Sequence, residues 1–128
     1  MNRFNKSIIR MIHFYKVGGV LRVFAFLIYR WNRIVYSSDI PPQATIDNVN
    51  FMHKGFGVVI NSNAIIGHNT TIQHGVTLGV LKNEKDAPKI GANCYIGAKA
   101  SILGDIIIGD GAKIGAGAVV LSDVPAGA

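Results

Sequence analysis

Few residues in this 128-residue chain can do chemistry. There are four histidines, His13, His53, His68 and His74, and a single cysteine, Cys94. An imidazole titrates near pH ~6.5 when unperturbed, so it can take a proton from a weak nucleophile at neutral pH. A zinc site is not expected. It would need several ligands converging on one point, and His53, His68 and His74 lie 15 and 6 residues apart. In the repeat described next, that spacing puts His68 and His74 on successive faces. Cys94 falls on an inward position of the same repeat and reads as packing, not as a nucleophile. His68 reads as a surface residue, and His13 belongs to a basic leader.

The elements that position these groups follow from a six-residue period. An aliphatic residue recurs at Ile60, Ile66, Ile72 and Leu78, then at Ile90, Ile96, Ile102, Ile108, Ile114 and Val120. Only Glu84 breaks the series. A small or β-branched residue follows four positions later, as at Ala64, Thr70, Val76, Cys94 and Ala100. Neither a helix nor a flat alternating sheet has this period. Three short strands per triangular coil of about 18 residues do. The fold class is therefore all-β, a parallel β-helix, with Gly or Asn supplying the positive φ of the corners. A strict 18-residue coil stacks Leu78 with Ile96 and Ile114, Ile72 with Ile90 and Ile108, and Ile66 with Ile102 and Val120.

Two stretches break the period. From Ile46 to Ile60 is 14 positions, two more than two hexads, so the chain has slack around Phe51–Gly57. His53 lies in that slack, where local rules yield to function. The second break is residues 80–89, VLKNEKDAPK. Its polar residues cannot line an apolar prism and must form a protruding loop. The organisation is thus a leader over 1–38 and a coil domain over 39–128 that carries loop 80–89.

Residues 1–36 hold seven Lys or Arg and no acid, whereas the rest is close to neutral. Gly18-Gly19 divides the leader into helices over 1–17 and 20–36, and Pro41-Pro42 forbids continuation. The bases are interleaved with Phe24, Phe26, Leu27 and Trp31. This pattern suits peripheral contact with a lipid interface better than nucleic acid, the alternative being a helical cap that packs on the coil end or on a sister subunit. The longest uncharged run in the leader, Val23–Tyr29, has seven residues, against ~20 for a membrane span. No signal-peptide cleavage pattern is evident. One cysteine fits a reducing compartment, so the expected location is cytoplasmic, peripheral at the inner membrane face.

The segments DIPPQATI, FMHKGFGVVIN, TIQHGVTLG, APKIG and YIGAKASILGDIIIGDGAKIGAGAVVLSDVP resemble the hexapeptide acyltransferases. Within that family they are similar to the serine acetyltransferase branch. They are closest in kind to its short relatives among colanic acid and capsular polysaccharide O-acetyltransferases. The resemblance covers residues 39–125. It implies a left-handed β-helix, a homotrimer with sites between neighbours, and direct acetyl transfer from acetyl-CoA to a hydroxyl. It places the catalytic base at His53, through His53…Val58-Val59, and its carboxylate partner at Asp39, through Asp39-Ile40-Pro41-Pro42. Acetyl-CoA contacts map on Gly79, Ala98 and Lys113. His74 is expected to face the acceptor, and an N–H from Gly55 or Gly57 to serve the oxyanion.

Three departures bear on the acceptor. Met52 stands where serine acetyltransferases carry an acid, and Asp86-Ala87 where they carry Arg-His. Their large N-terminal helical domain has no counterpart here. The chain also stops at Val124–Ala128, so the last coil is expected to be left open. These departures point to a sugar hydroxyl of a surface polysaccharide or its lipid-linked precursor as acceptor. L-Serine is the alternative, and a non-catalytic scaffold is the alternative from another class.

Overall fold

The computed structural model describes residues 2–128. Helices α1 (Arg3–Val17) and α2 (Leu21–Tyr36) precede twelve short strands. These are β1 (Thr45–Ile46), β2 (Asn50–Phe51), β3 (Val59–Ile60), β4 (Ile65–Ile66), β5 (Thr71–Ile72) and β6 (Thr77–Gly79), then β7 (Lys89–Ile90), β8 (Tyr95–Ile96), β9 (Ser101–Leu103), β10 (Ile107–Ile108), β11 (Lys113–Ile114) and β12 (Val119–Val120). They form three parallel sheets, β1-β4-β7-β10, β2-β5-β8-β11 and β3-β6-β9-β12. The result is the expected left-handed parallel β-helix, about four turns tall, with a short helical segment at its N-terminal end.

Each strand points its first residue outward and its second into the prism. Three buried columns follow. Ile46, Ile66, Ile90 and Ile108 form one; Phe51, Ile72, Ile96 and Ile114 form another. The third runs from Ile40 through Ile60, Leu78 and Ile102, because Asp39 bridges Val59 in parallel. Burial of each aliphatic contributes roughly 1.5–3 kcal/mol.

The columns differ from those expected. Ile66 pairs with Ile90, Ile72 with Ile96 and Leu78 with Ile102, each 24 residues on. The chain does not lay the hexad around Glu84 into the prism. It leaves that hexad wholly in the loop between β6 and β7, and every later column shifts by one face. The earlier break also lies slightly elsewhere. Phe51 itself takes an inward slot, five residues after Ile46 and nine before Ile60, so the slack falls after it.

Glycine follows six of the ten aliphatics, at Gly67, Gly79, Gly91, Gly97, Gly109 and Gly115, and none of these six has positive φ. The left-handed corner residues sit two positions further on, at Asn69, Gly75, Asn93, Lys99, Gly111 and Gly117. Gly67, Gly91, Gly97 and Gly109 lie where one coil crosses the next at backbone distance. A Cβ on Gly97 would come within 2.5 Å of the Ala116 nitrogen, and one on Gly67 within 2.7 Å of the Ala92 nitrogen.

The leader closes the top of the prism. The Asn2 side chain caps α1 by accepting from Asn5 N–H at 2.8 Å. Phe4, Ile8, Met11 and Ile12 give α1 one buried face. Phe4 stands edge-on to Phe51, with ring centroids 5.5 Å apart, and to Tyr36 at 5.0 Å. Phe51 N–H donates to Asn5 Oδ1 at 3.0 Å, and Asn2 Nδ2 donates to the Phe51 carbonyl at 3.0 Å. Two side-chain amides therefore stand in for a strand above β2. At the other end the backbone continues past β12. Gly109 N–H donates to the Val124 carbonyl at 2.8 Å, and Lys113 N–H to the Ala128 carbonyl at 2.8 Å.

These contacts predict opposite outcomes for two chemically identical changes. Gly97→Ala should destabilise by about 1–3 kcal/mol, the usual range for forced overpacking. A Cβ on Gly115 meets nothing within 4 Å, so Gly115→Ala should stay within about 0.5 kcal/mol of the parent. Chemical denaturation of the two variants checks this.

Candidate active site

The slack after Phe51 folds into a tight turn over Met52–Gly55. His53 (φ 50°, ψ 37°), Lys54 (φ 58°) and Gly55 (φ 63°) are all left-handed in succession. Left-handed backbone is costly for residues with a Cβ and persists where surrounding structure enforces it. Phe4 packs directly against the turn: a Cβ on Gly55 would come within 2.2 Å of the Phe4 ring, so that position is closed to any side chain. The turn thus closes over the first residues of α1, and the His53 side chain is left exposed at a corner of the prism.

That corner is a ladder. His74, Ala98 and Ala116 follow Phe56, the residue that closes the His53 turn, down successive coils, joined by Gly75 N–H to the Phe56 carbonyl at 2.9 Å, Lys99 N–H to the His74 carbonyl at 2.9 Å, and Gly117 N–H to the Ala98 carbonyl at 2.8 Å. The His53 and His74 rings meet edge to face, with centroids 4.9 Å apart. His74 Nδ1 is buried and has no hydrogen-bond partner among the described residues. The Lys99 side chain lies over Gly75 on this corner, 3.0 Å from where a Cβ would stand.

Asp39 enters the adjoining face one strand above β3. Its N–H donates to the Val58 carbonyl at 2.7 Å, and its carbonyl accepts from Ile60 N–H at 2.8 Å. Its side chain therefore points outward beside Val59, directly after the His53 turn. Its carboxylate, however, is engaged by another residue. Tyr29 of α2 donates its hydroxyl to Asp39 Oδ1 at 2.5 Å. No hydrogen bond joins Asp39 to His53 among the described residues. Burial raises the Tyr29 phenol above its ordinary value of 10.0, and the hydrogen bond and charge of Asp39 add to the rise, opposed by Arg33. Sequence reading missed Tyr29 because a tyrosine on a helix carries no local signal of where it aims.

Asp39 and Tyr29 line a groove of about 470 Å³ together with Phe26, Gln43, Asn61, Ser62 and Gly79. Gly79 is thus brought beside Asp39. Ala98 lies on the His53 corner, two coils down. Lys113 is exposed on the β11 face and joins neither group within one chain. Gly57 is not a free oxyanion donor, since its N–H already donates to the Tyr36 carbonyl at 3.3 Å. His68 is exposed and faces Asp47 at 3.9 Å. Cys94 is buried, and its thiol donates to the Gly109 carbonyl at 3.2 Å, in keeping with a packing role.

Known proteins resemble this arrangement. The bacterial transferase hexapeptide family (six repeats) matches residues 87–122. The serine acetyltransferase of Bacillus subtilis is 45% identical over 103 residues, 79% of this chain and 48% of that protein. The serine acetyltransferase of Helicobacter pylori (strain 26695) is 45% identical over 97 residues, 74% of this chain and 57% of that protein. A crystal structure of the Neisseria gonorrhoeae serine acetyltransferase in complex with serine superposes with a TM-score of 0.84 at 39% identity, covering 96% of this chain and 50% of that one. The chain spans about half the length of the curated relatives it matches.

These relatives overturn the expected polysaccharide acceptor and favour the alternative, serine. The expectation leaned on Asp86-Ala87. In the structure those positions serve the loop: Asn83 Nδ2 donates to Asp86 Oδ2 at 3.0 Å, and Ala87 is buried beneath it. Their identity therefore reports on loop packing.

The Tyr29–Asp39 bond predicts a pH signature. Replacing Tyr29 with Phe should cost about 1 kcal/mol at pH 7, as for a partly exposed hydrogen bond to a charged group. A raised folded-state pKa contributes stability that is fully present below 10.0 and lost as pH rises through the higher folded value. The gap between the two proteins should therefore close in alkali. Urea denaturation at pH 7 and along an alkaline series measures it.

Proposed function

We propose that this chain, which belongs to the hexapeptide-repeat transferase family and fits its serine acetyltransferase-like branch, moves an acetyl group from acetyl-CoA to the hydroxyl of serine. The observation that carries the reading is the overlay of nearly the whole chain on a serine acetyltransferase crystallised with serine. The non-catalytic scaffold has no observation in its favour.

His53 acts as the general base. It sits at the exposed tip of a turn that packs on Phe4, so the imidazole is open to an incoming hydroxyl. Asp39 orients that imidazole and stabilises the imidazolium formed on proton transfer. Tyr29 holds Oδ1, which leaves Oδ2 to accept from the His53 ring N–H when the pair closes. The serine oxygen attacks the thioester carbonyl carbon as its proton passes to His53. The carbon–sulfur bond then breaks, and the departing thiolate of CoA takes the proton back. The Gly55 N–H is the remaining candidate donor to the carbonyl oxygen. His74 lines the acceptor side, its ring set against His53.

Acetyl-CoA is assigned to Gly79, Ala98 and Lys113. They lie on different parts of one prism, so a single chain does not gather them. A homotrimer of parallel prisms gathers such groups across the clefts between neighbours. Outward apolar residues on all three faces support that assembly: Val59 and Val119, Ile65 and Ile107, and Tyr95 are all exposed in one chain.

Thiol release from acetyl-CoA with L-serine tests the proposal. His53→Ala and Asp39→Ala should each lose about 10²–10⁴-fold in turnover while keeping the parent's circular dichroism and elution volume. Unchanged turnover in both variants would discard the site, and no thiol release by the parent with serine would discard the acceptor.

A further inference from the structure

The leader helices carry a surface that the proposed reaction does not use. On α2 and its N-cap residue Val20, the side chains of Val20, Val23, Phe24, Leu27, Trp31 and Ile34 recur at helical spacing on one side. They are 48–79% exposed. The opposite side of the same helix holds the buried Ala25 and Asn32, against α1 and the prism. The stripe is therefore the outer face of a packed helix, met at one edge by Phe14 of α1, whose ring centroid lies 6.4 Å from that of Phe24.

Both flanks of the stripe are basic. Arg30 and Arg33 border Ile34 on one side. Arg3, Lys6 and Arg10 of α1 border Ile28 on the other. No acid occurs in residues 1–36, and among the described residues the two ion pairs, His68–Asp47 and Lys89–Asp105, lie elsewhere. These five bases therefore have no carboxylate partner. A second copy of this face would set arginine against arginine. Nucleic acid would match the charge but leave the apolar stripe in water. An anionic bilayer surface satisfies both: apolar side chains enter the acyl boundary while bases on either flank meet headgroup phosphates. No helix among the described residues is long and apolar enough to cross the bilayer, so the helix lies flat on it.

We propose that the outer face of α2, flanked by the bases of α1, docks the protein on an anionic lipid bilayer surface. This inference stands apart from the identity of the acceptor.

Trp31 is the only tryptophan in the chain, and it stands in the stripe, so its emission reports docking directly. The full chain is titrated with vesicles of phosphatidylglycerol and phosphatidylcholine, and with phosphatidylcholine alone. The expected result is a blue shift of Trp31 and co-sedimentation at least tenfold stronger with the anionic vesicles. Leu27→Asp with Ile34→Asp should weaken it at least tenfold. Both side chains are already exposed, so the fold is kept, as circular dichroism checks. Arg30→Gln with Arg33→Gln should weaken anionic binding and flatten its salt dependence. Three results would overturn the proposal: no shift and no co-sedimentation with anionic vesicles; an oligomer of the parent that Leu27→Asp with Ile34→Asp dissociates; or tight binding of duplex DNA or RNA that survives that double change.

Discussion

The backbone ladder between coils sets the terms for every other part of this structure. Parallel strands hydrogen-bond only at one spacing, so each coil must lie at that distance from the next along its whole perimeter. The corners must turn within two or three residues, which places a left-handed residue in most of them. Where coils cross at backbone distance a Cβ has no room, and glycine follows the aliphatic. What remains inside is a narrow triangle, filled by one large and one small side chain per hexad. The six-residue period is the imprint of that spacing.

The same constraint explains where the site can be. Regular coils fix the direction of each side chain, because their backbone is committed to the ladder. The turn after Phe51 and the strand-like segment at Asp39 lie above the first complete coil, where the ladder is not yet full. Both are held from the leader. Phe4 of α1 packs under the His53 turn, and Tyr29 of α2 holds the Asp39 carboxylate. The helices that carry the chain's excess positive charge are thus also the ones that shape the proposed catalytic corner.

Much of this was legible from residue order. The period announced the prism, Gly18-Gly19 and Pro41-Pro42 bounded the helices, and His53 stood out by breaking the pattern. The failures have physical causes. A period reports spacing along the chain but not whether a given hexad is spent inside the prism, so the loop at Glu84 displaced every predicted column. A helix pattern reveals which face is apolar but not what a tyrosine at its edge will touch, so Tyr29 was missed. Asp86 and Ala87 were read as groups facing an acceptor, whereas their contacts lie within the loop and its base.

The amides of Asn2 and Asn5 have a consequence for the molecule's behaviour in a crowded solution. A stack of parallel strands offers at its end a row of unpaired donors and acceptors, the same template by which sheets recruit further chains. Above β2, that template is occupied by two side chains that cannot themselves be extended. Growth by addition of another coil on that side is closed off. The leader thereby gives a fold with no intrinsic length limit a definite upper end.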